Sequence, residues 1–263
     1  MRKRSENIRD KLLPAGAFCL LLLIWWALSA SGLIPEYMLP SPVDVVRAFF
    51  TDFPNLMAHA LVSVEEALAG LVIGTLLAFG LACAMDRFLN LEKALLPLLV
   101  VSQTIPTIAI APLLVLWMGF GVAPKIALVI ITTFFPIAVG LLDGFKSADP
   151  DAVALLRSMG ASRRQIFRHV RFPAALPYFF SGLRISASYA VVGAVISEWL
   201  GGFEGLGVYM TRVRKAYAFD RMFAVIILVV IISLLLMRVV NLLRDVSMPW
   251  MRTREMAHGK LRA

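Results

Sequence analysis

Residues 149–177 read DPDAVALLRSMGASRRQIFRHVRFPAALP. Asp149, Pro150 and Asp151 put a capping acid ahead of a proline at the first helical position. Ser162-Arg163-Arg164-Gln165 has the Ser-x-x-Gln spacing of a capping box, in which each side chain satisfies the other's backbone N–H. Gly160 falls between them, where a helix commonly ends in a left-handed residue. The stretch predicts helices over 150–159 and 163–171 joined by a tight turn, after which Pro173 and Pro177 stop and redirect the chain. The helices mix Val153, Leu155, Leu156, Met159, Ile166, Phe167 and Val170 with Arg157, Arg163, Arg164 and Arg168. Apolar residues rimmed by charge suit a protein-docking surface. Arginines marking the inner side of a membrane protein, with the apolar residues packed onto its bundle, would leave the same composition. The residues alone do not separate these two readings.

Outward from this loop the chain turns apolar on both sides. Six segments stand out, at 12–34, 61–85, 94–118, 124–142, 176–200 and 222–243. A helix of about 20 residues crosses a hydrocarbon core about 30 Å thick, and a helix apolar all round is not a surface helix of a soluble domain. Of the 263 residues, 60% are apolar and 16% charged, and the mean hydropathy is +0.81. Ordinary soluble domains are about half apolar and about a quarter charged. A disulfide scaffold, a disordered tail and a conventional soluble enzyme are excluded. An integral membrane protein of one domain remains.

The net charge of +9 is explained by topology. With the N-terminus in the cytoplasm, segments 1–11, 86–93, 143–175 and 238–263 lie inside and hold 19 of the 26 basic residues. The outside carries Arg47, Lys125, Arg212, Arg214, Lys215 and Arg221. This is a positive-inside pattern in lipid, not a nucleic-acid face. Ser41, Pro42 and Asp44 open an amphipathic helix on the outside. The basic start followed by Leu12–Ile34 imitates a signal peptide. Its uncharged run of 23 residues is long enough to span, however, and Trp25-Trp26 suit an interface, so a retained helix is expected. Cys19 and Cys83 sit in apolar runs as small hydrophobes. No His/Cys cluster has metal-ligand spacing, and no metal site is expected.

Asp151 through Ser162, followed by Val170-Arg171-Phe172-Pro173, resembles the loop of permeases of ATP-binding-cassette importers. The family pattern is Glu-Ala-Ala, three residues, Gly, nine residues, then Ile-x-Leu-Pro. Gly160, Val170, Phe172 and Pro173 fall in register. Ala154, Leu155 and Leu156 occupy the Glu-Ala-Ala positions, so the family's acidic contact is absent. The resemblance runs from Leu39-Pro40-Ser41-Pro42 to Pro249-Trp250 and is to permeases for nitrate, sulfonate, taurine and thiamine precursors. Thr133-Phe134-Phe135-Pro136-Ile137 and Ile196-Ser197-Glu198-Trp199-Leu200-Gly201-Gly202 resemble the branch for pyrimidine precursors of thiamine.

The resemblance implies an all-α membrane protein with six transmembrane helices in the type I importer (MetI-like) fold. A permease domain at 12–243 would lie between a cytoplasmic N-terminus, 1–11, and a basic cytoplasmic tail, 244–263. Loop 143–175 would dock on a separate ATPase through Asp151, Ala154, Leu155, Met159, Gly160, Ala161, Ser162, Arg163, Arg164, Phe167, Val170 and Pro173. The implied assembly is a homodimer in the bacterial inner membrane with two ATPase subunits, which hold ATP and Mg, and an external substrate-binding protein. ATPase closure would rotate the permeases between inward- and outward-open states.

The chain itself has no Gly-x-x-x-x-Gly-Lys-Ser/Thr phosphate loop and no nucleophile elbow, so neither a nucleotide site of that kind nor catalytic residues are expected in it. In the third segment Gln103, Thr104, Pro106 and Thr107 interrupt the apolar run, and a helix broken there can line a cavity, although a kinked and well-packed helix reads the same way. Glu65, Glu66, Arg184 and Glu198 are charges within or at the edges of segments, as interfacial anchors, structural ion pairs or ligand contacts. Glu198 with Trp199 and Tyr189 could hold a planar, amine-bearing ring. Gly70-x-x-x-Gly74 permits close helix approach, within the chain or between two copies. Gly201 to Gly207 reads as a flexible outside loop. Sulfonate, taurine, nitrate and riboflavin are the alternative cargoes of the same role. An ion-coupled secondary transporter is a more distant alternative, against which the scarcity of mid-span acids counts.

Overall fold

The computed structural model describes residues 2–35 and 37–250, with side chains from Leu12 onward. Met1 and most of the basic tail lie outside the described residues. The helices are α1 (Arg2–Ala30), α2 (Pro42–Thr51), α3 (Phe53–Arg87), α4 (Leu89–Ser102), α5 (Thr107–Met118), α6 (Val122–Lys146), α7 (Pro150–Ser158), α8 (Arg163–Ile166), α9 (Phe172–Gly201), α10 (Leu206–Lys215) and α11 (Phe219–Ser247). A π-helical turn, Phe167–Arg171, joins α8 to α9. Among the described residues, five helical runs are long and apolar enough to cross a membrane, and the pair α4–α5 makes a sixth if counted as one broken span.

That pair is not one helix over 94–118, because the chain bends by 101° between Ser102 and Thr107. Ser102 Oγ and Thr104 Oγ1 donate back to the Leu99 and Val101 carbonyls, at 2.7 and 2.8 Å. Backbone bonds tighten to Gln103 N–Val100 O and Thr104 N–Val101 O. Pro106 then supplies no N–H and disfavours helical geometry at Ile105.

The sequence predicts that Pro173 and Pro177 stop the second loop helix, but they do not: 163–201 is one helical run. The π turn explains it. Phe172 N–H reaches back to the Phe167 carbonyl, which widens the turn just before the Pro173 ring, and Pro177 leaves only one further carbonyl without its helical donor. Pro136 inside α6 removes the helical donor of the Thr132 carbonyl, and beside it Ser186 Oγ of α9 donates to the Thr133 carbonyl at 2.7 Å.

The chain divides into two units. The first comprises 1–59 and 209–228. Here Trp25 Nε1 and Ser29 Oγ donate to the Pro40 and Leu39 carbonyls, each at 3.1 Å, which ties α1 to the start of α2. Asp52 accepts from Asn55 at 2.7 Å and from the Tyr209 hydroxyl. Nearly all apolar side chains of α1 are exposed, as a lipid-facing helix requires.

The second unit, 60–208 and 229–263, holds the larger core, including Leu71, Val129, Ile137, Phe145, Phe180 and Val191. Its centre is the contact of α6 with α9, closed by glycine. A Cβ on Gly182 would lie 2.4 Å from the Pro136 oxygen, and one on Gly144 would lie 2.7 Å from Ala175 Cα. Gly70 and Gly74 of α3 face Val129 and Thr133 of α6, where a Cβ would come within 2.5 and 2.6 Å. The Gly-x-x-x-Gly face is used within the chain.

Candidate functional site

The 143–175 loop is built by its caps. Asp149 Oδ1 accepts from Asp151 N–H at 2.9 Å. At the other end of α7, Gly160 N–H donates to the Arg157 carbonyl and Ala161 N–H to the Leu156 carbonyl, at 3.1 and 2.9 Å. This reciprocal pair needs a left-handed residue at 160, and Gly160 has φ +81°. The capping box then opens α8, with Ser162 Oγ accepting from Gln165 N–H at 3.3 Å and Gln165 Oε1 from Ser162 N–H at 2.7 Å.

One side of the loop is anchored. Ile166 is buried, the Phe167 ring lies 5.3 Å from that of Phe145, and Arg171 pairs with Asp86 at 2.6 Å. Val170 and Pro173 are half-buried with them. The other side is open. Leu155 and Met159, one turn apart, are 62% and 73% exposed, and Asp151, Ala154, Gly160, Ser162, Arg163 and Arg164 are exposed beside them. Ala161 is half-buried. A rigid, anchored stub presenting two large apolar side chains among arginines can seat in a partner's groove as a unit.

The second feature is a buried charge network that the sequence spacing did not announce. Lys125 Nζ donates to Glu66 Oε1 at 2.6 Å and lies 3.5 Å from the Glu204 carbonyl, while Glu66 Oε2 has no hydrogen bond among the described residues. Glu198 accepts from Ser63 Oγ at 2.6 Å and from Gly207 N–H, and Ser63 Oγ in turn accepts from Leu206 N–H at 2.8 Å. The 202–207 segment is therefore pinned rather than flexible. Gly205 has φ +118°, and a Cβ there would lie 2.3 Å from the Glu198 carboxyl carbon. Lys125 is not an exposed marker of the outer side, since its charge is spent on Glu66 in the interior.

The structure separates the other proposed contacts. Glu198 is 1% exposed, whereas Tyr189 and Trp199 of the same helix are 52% and 43% exposed on another face, which also carries Arg184. The same exposed side of α9 also carries the aliphatic Ile185, Val192 and Leu200. Gln103, Thr104 and Pro106 are exposed at the α4–α5 break, and Thr107 is half-buried at the start of α5. Among the described residues there is no group of three His, Cys, Asp or Glu placed to hold a metal.

Residues 70–253 match the family described as binding-protein-dependent transport system inner membrane component. The chain is 38% identical over 94% of its length to the formylaminopyrimidine transport permease protein ThiX of Halalkalibacterium halodurans, covering 98% of that protein. It is 32% identical over 88% of its length to the riboflavin transport system permease protein RibX of Chloroflexus aurantiacus, covering 87% of it. Among solved structures, an inward-facing MetNI methionine ABC transporter chain superimposes with a TM-score of 0.59 at 20% identity, covering 74% of this chain and 94% of that one. An amino acid ABC transporter chain gives the same score at 16% identity, covering 75% of this chain and 94% of that one.

Proposed function

Because the chain belongs to the family of inner-membrane components of binding-protein-dependent transport systems, it is a multi-pass permease subunit of an ATP-binding-cassette importer, and we propose that its cargo is a pyrimidine precursor of thiamine. The observation that carries the cargo is the near full-length likeness to a formylaminopyrimidine permease. The permease works as a homodimer with an external binding protein and two ATPase subunits, which hold ATP and Mg. Both of its termini face the cytoplasm, as the basic residues suggest.

The anchored 143–175 loop transmits ATPase closure to the bundle. Leu155 and Met159 enter the partner's groove, and the Phe167 and Arg171 anchors pass the movement to α6 and α3. The cargo passes the exposed faces at the α4–α5 break and on α9. Gln103, Thr104 and Thr107 offer hydrogen bonds there, and Tyr189 and Trp199 offer rings for stacking. Glu198 and Lys125 brace α3, α6 and the 202–207 turn while these faces move.

Uptake of labelled formylaminopyrimidine, with the chain co-expressed with its ATPase and binding protein, tests the cargo. Saturable uptake that taurine and riboflavin do not compete away is expected. Uptake of riboflavin alone would transfer the reading to the other relative's cargo, which is also a flat, nitrogen-rich ring. Deletion of 155–165 should abolish both ATPase co-purification and uptake, and normal uptake without bound ATPase would refute the importer mechanism.

A further inference from the structure

Behind the exposed Leu155–Met159 face lies a cleft of about 780 Å³ between the end of α3 and the α7–α8 turn. Its charged lining is Asp86, Arg87, Arg157, Arg163, Arg164 and Arg171. Asp86 is taken by Arg171. Among the described residues, none of the other four arginines forms an ion pair. Guanidinium groups gathered from three helices around one concavity repel one another unless an anion enters. Their planar forks match the oxygens of a phosphate two at a time. The floor is apolar, from Cys83, Ile166 and Phe167, and Arg87 is the last residue of a helix that is otherwise of spanning character. The cleft thus lies where an apolar helix ends and its charges begin.

We propose that this cleft binds a phosphate group, and that its position favours the headgroup of an anionic phospholipid as the source. This rests on the reading that the loop faces the cytoplasm, where the leaflet is anionic. Such a headgroup would clamp the end of α3 to the coupling loop, so that lipid composition adjusts how firmly ATPase movement is passed on.

The test uses the purified full chain in nanodiscs, in which both faces are accessible, so its failure is distinct from a wrong orientation or cargo. One arm follows lipid co-purification from phosphatidylcholine discs doped with phosphatidylglycerol or cardiolipin. The other titrates inorganic phosphate and ATP into phosphatidylcholine discs. Each arginine near an anionic surface is worth about fivefold in affinity, so Arg87→Gln/Arg164→Gln should weaken binding about 25-fold. Arg221→Gln, in the other unit, should not. Should the double variant fail to fold, the exposed Arg163→Gln carries the same test at about fivefold. Loss in the lipid arm supports the headgroup, and loss in the soluble arm alone keeps the phosphate site but makes its ligand a free anion. Equal binding by wild type and variants in both arms overturns the proposal. So does a variant that binds both anions as the wild type does but, co-expressed with its ATPase, no longer co-purifies with it, which would turn these arginines toward the partner subunit.

Discussion

Lys125→Met is the sharpest test of the buried network. Lys125 and Glu66 are almost fully buried, with their charges 2.6 Å apart. At an effective dielectric of about 20, such a pair attracts by roughly 6 kcal/mol. Desolvating two ions costs several kcal/mol each, so the intact pair contributes little net stability. Removing the lysine alone is different. It keeps the carboxylate's desolvation cost and leaves Glu66 with no hydrogen bond, beside a Glu198 whose partners, Ser63 and Gly207, cannot be shared. Breaking a buried pair in this way costs about 3–5 kcal/mol. At about 2–4 °C per kcal/mol for a chain of this order of size, the melting midpoint should fall by roughly 10 °C. Lys125→Met/Glu66→Gln removes both charges and should regain most of the loss. The assay is a thermal melt of detergent-purified protein at one fixed scan rate, read on wild type, both single variants and the double. A Lys125→Met protein that melts with the wild type, or a double variant that melts as low as the single, would refute the reasoning.

Three further outcomes are expected. Gly207→Ala puts a Cβ 2.2 Å from the Val195 carbonyl oxygen, which is backbone and cannot swing away, so the midpoint should drop steeply; Gly80→Ala, with nothing within 4 Å, should stabilise by up to about 1 kcal/mol in the same melt. Gly160→Ala meets open space but must hold φ near +81°, at about 1–2 kcal/mol of local strain, so ATPase co-purification should fall several-fold while the midpoint drops by only about 2–8 °C. Met159→Asp removes an apolar anchor worth about 1.5–3 kcal/mol when buried in a groove, so the ATPase retained in pull-down should fall by about ten- to a hundredfold without loss of thermal stability.

The legible parts of the molecule were those set by local chemistry. The caps at Asp149, Gly160 and Ser162-Gln165 are each closed by bonds spanning no more than five residues, and they appear in the structure as the spacing predicted. Span-length apolar runs are equally local. What failed was the effect of proline, because a missing N–H can be answered in several ways. At Pro106 the preceding Ser102, Gln103 and Thr104 bond back to their own turn, and the helix breaks by 101°. At Pro173 a π turn absorbs the same deficit and the helix continues. At Pro136 α6 continues, and the residue that donates beside the orphaned Thr132 carbonyl, to Thr133, is Ser186, 50 residues away in the chain. Counting prolines cannot separate these cases, whereas asking which donor or acceptor replaces the lost bond can.

The charges teach the complementary point. An acid in an apolar segment is costly, so it marks either a working site or a structural one. Glu198 with its aromatic neighbours suggested a ring-binding site. Helical geometry already weakens that grouping: Glu198 and Trp199 are adjacent in sequence, and successive residues on a helix point about 100° apart. The glycines on its C-terminal side were the better signal. A Cβ on Gly205 would run into the Glu198 carboxylate, and one on Gly207 into the Val195 carbonyl and then the Glu198 side chain, so acid and glycines form one unit, with Ser63 as its remote member 135 residues away. Lys125 carried no such local mark, since its partner lies 59 residues back on α3. A buried charge whose partners are small residues just beyond its own helix braces a turn. The faces left exposed on the same helix, at Tyr189 and Trp199, remain available for the cargo.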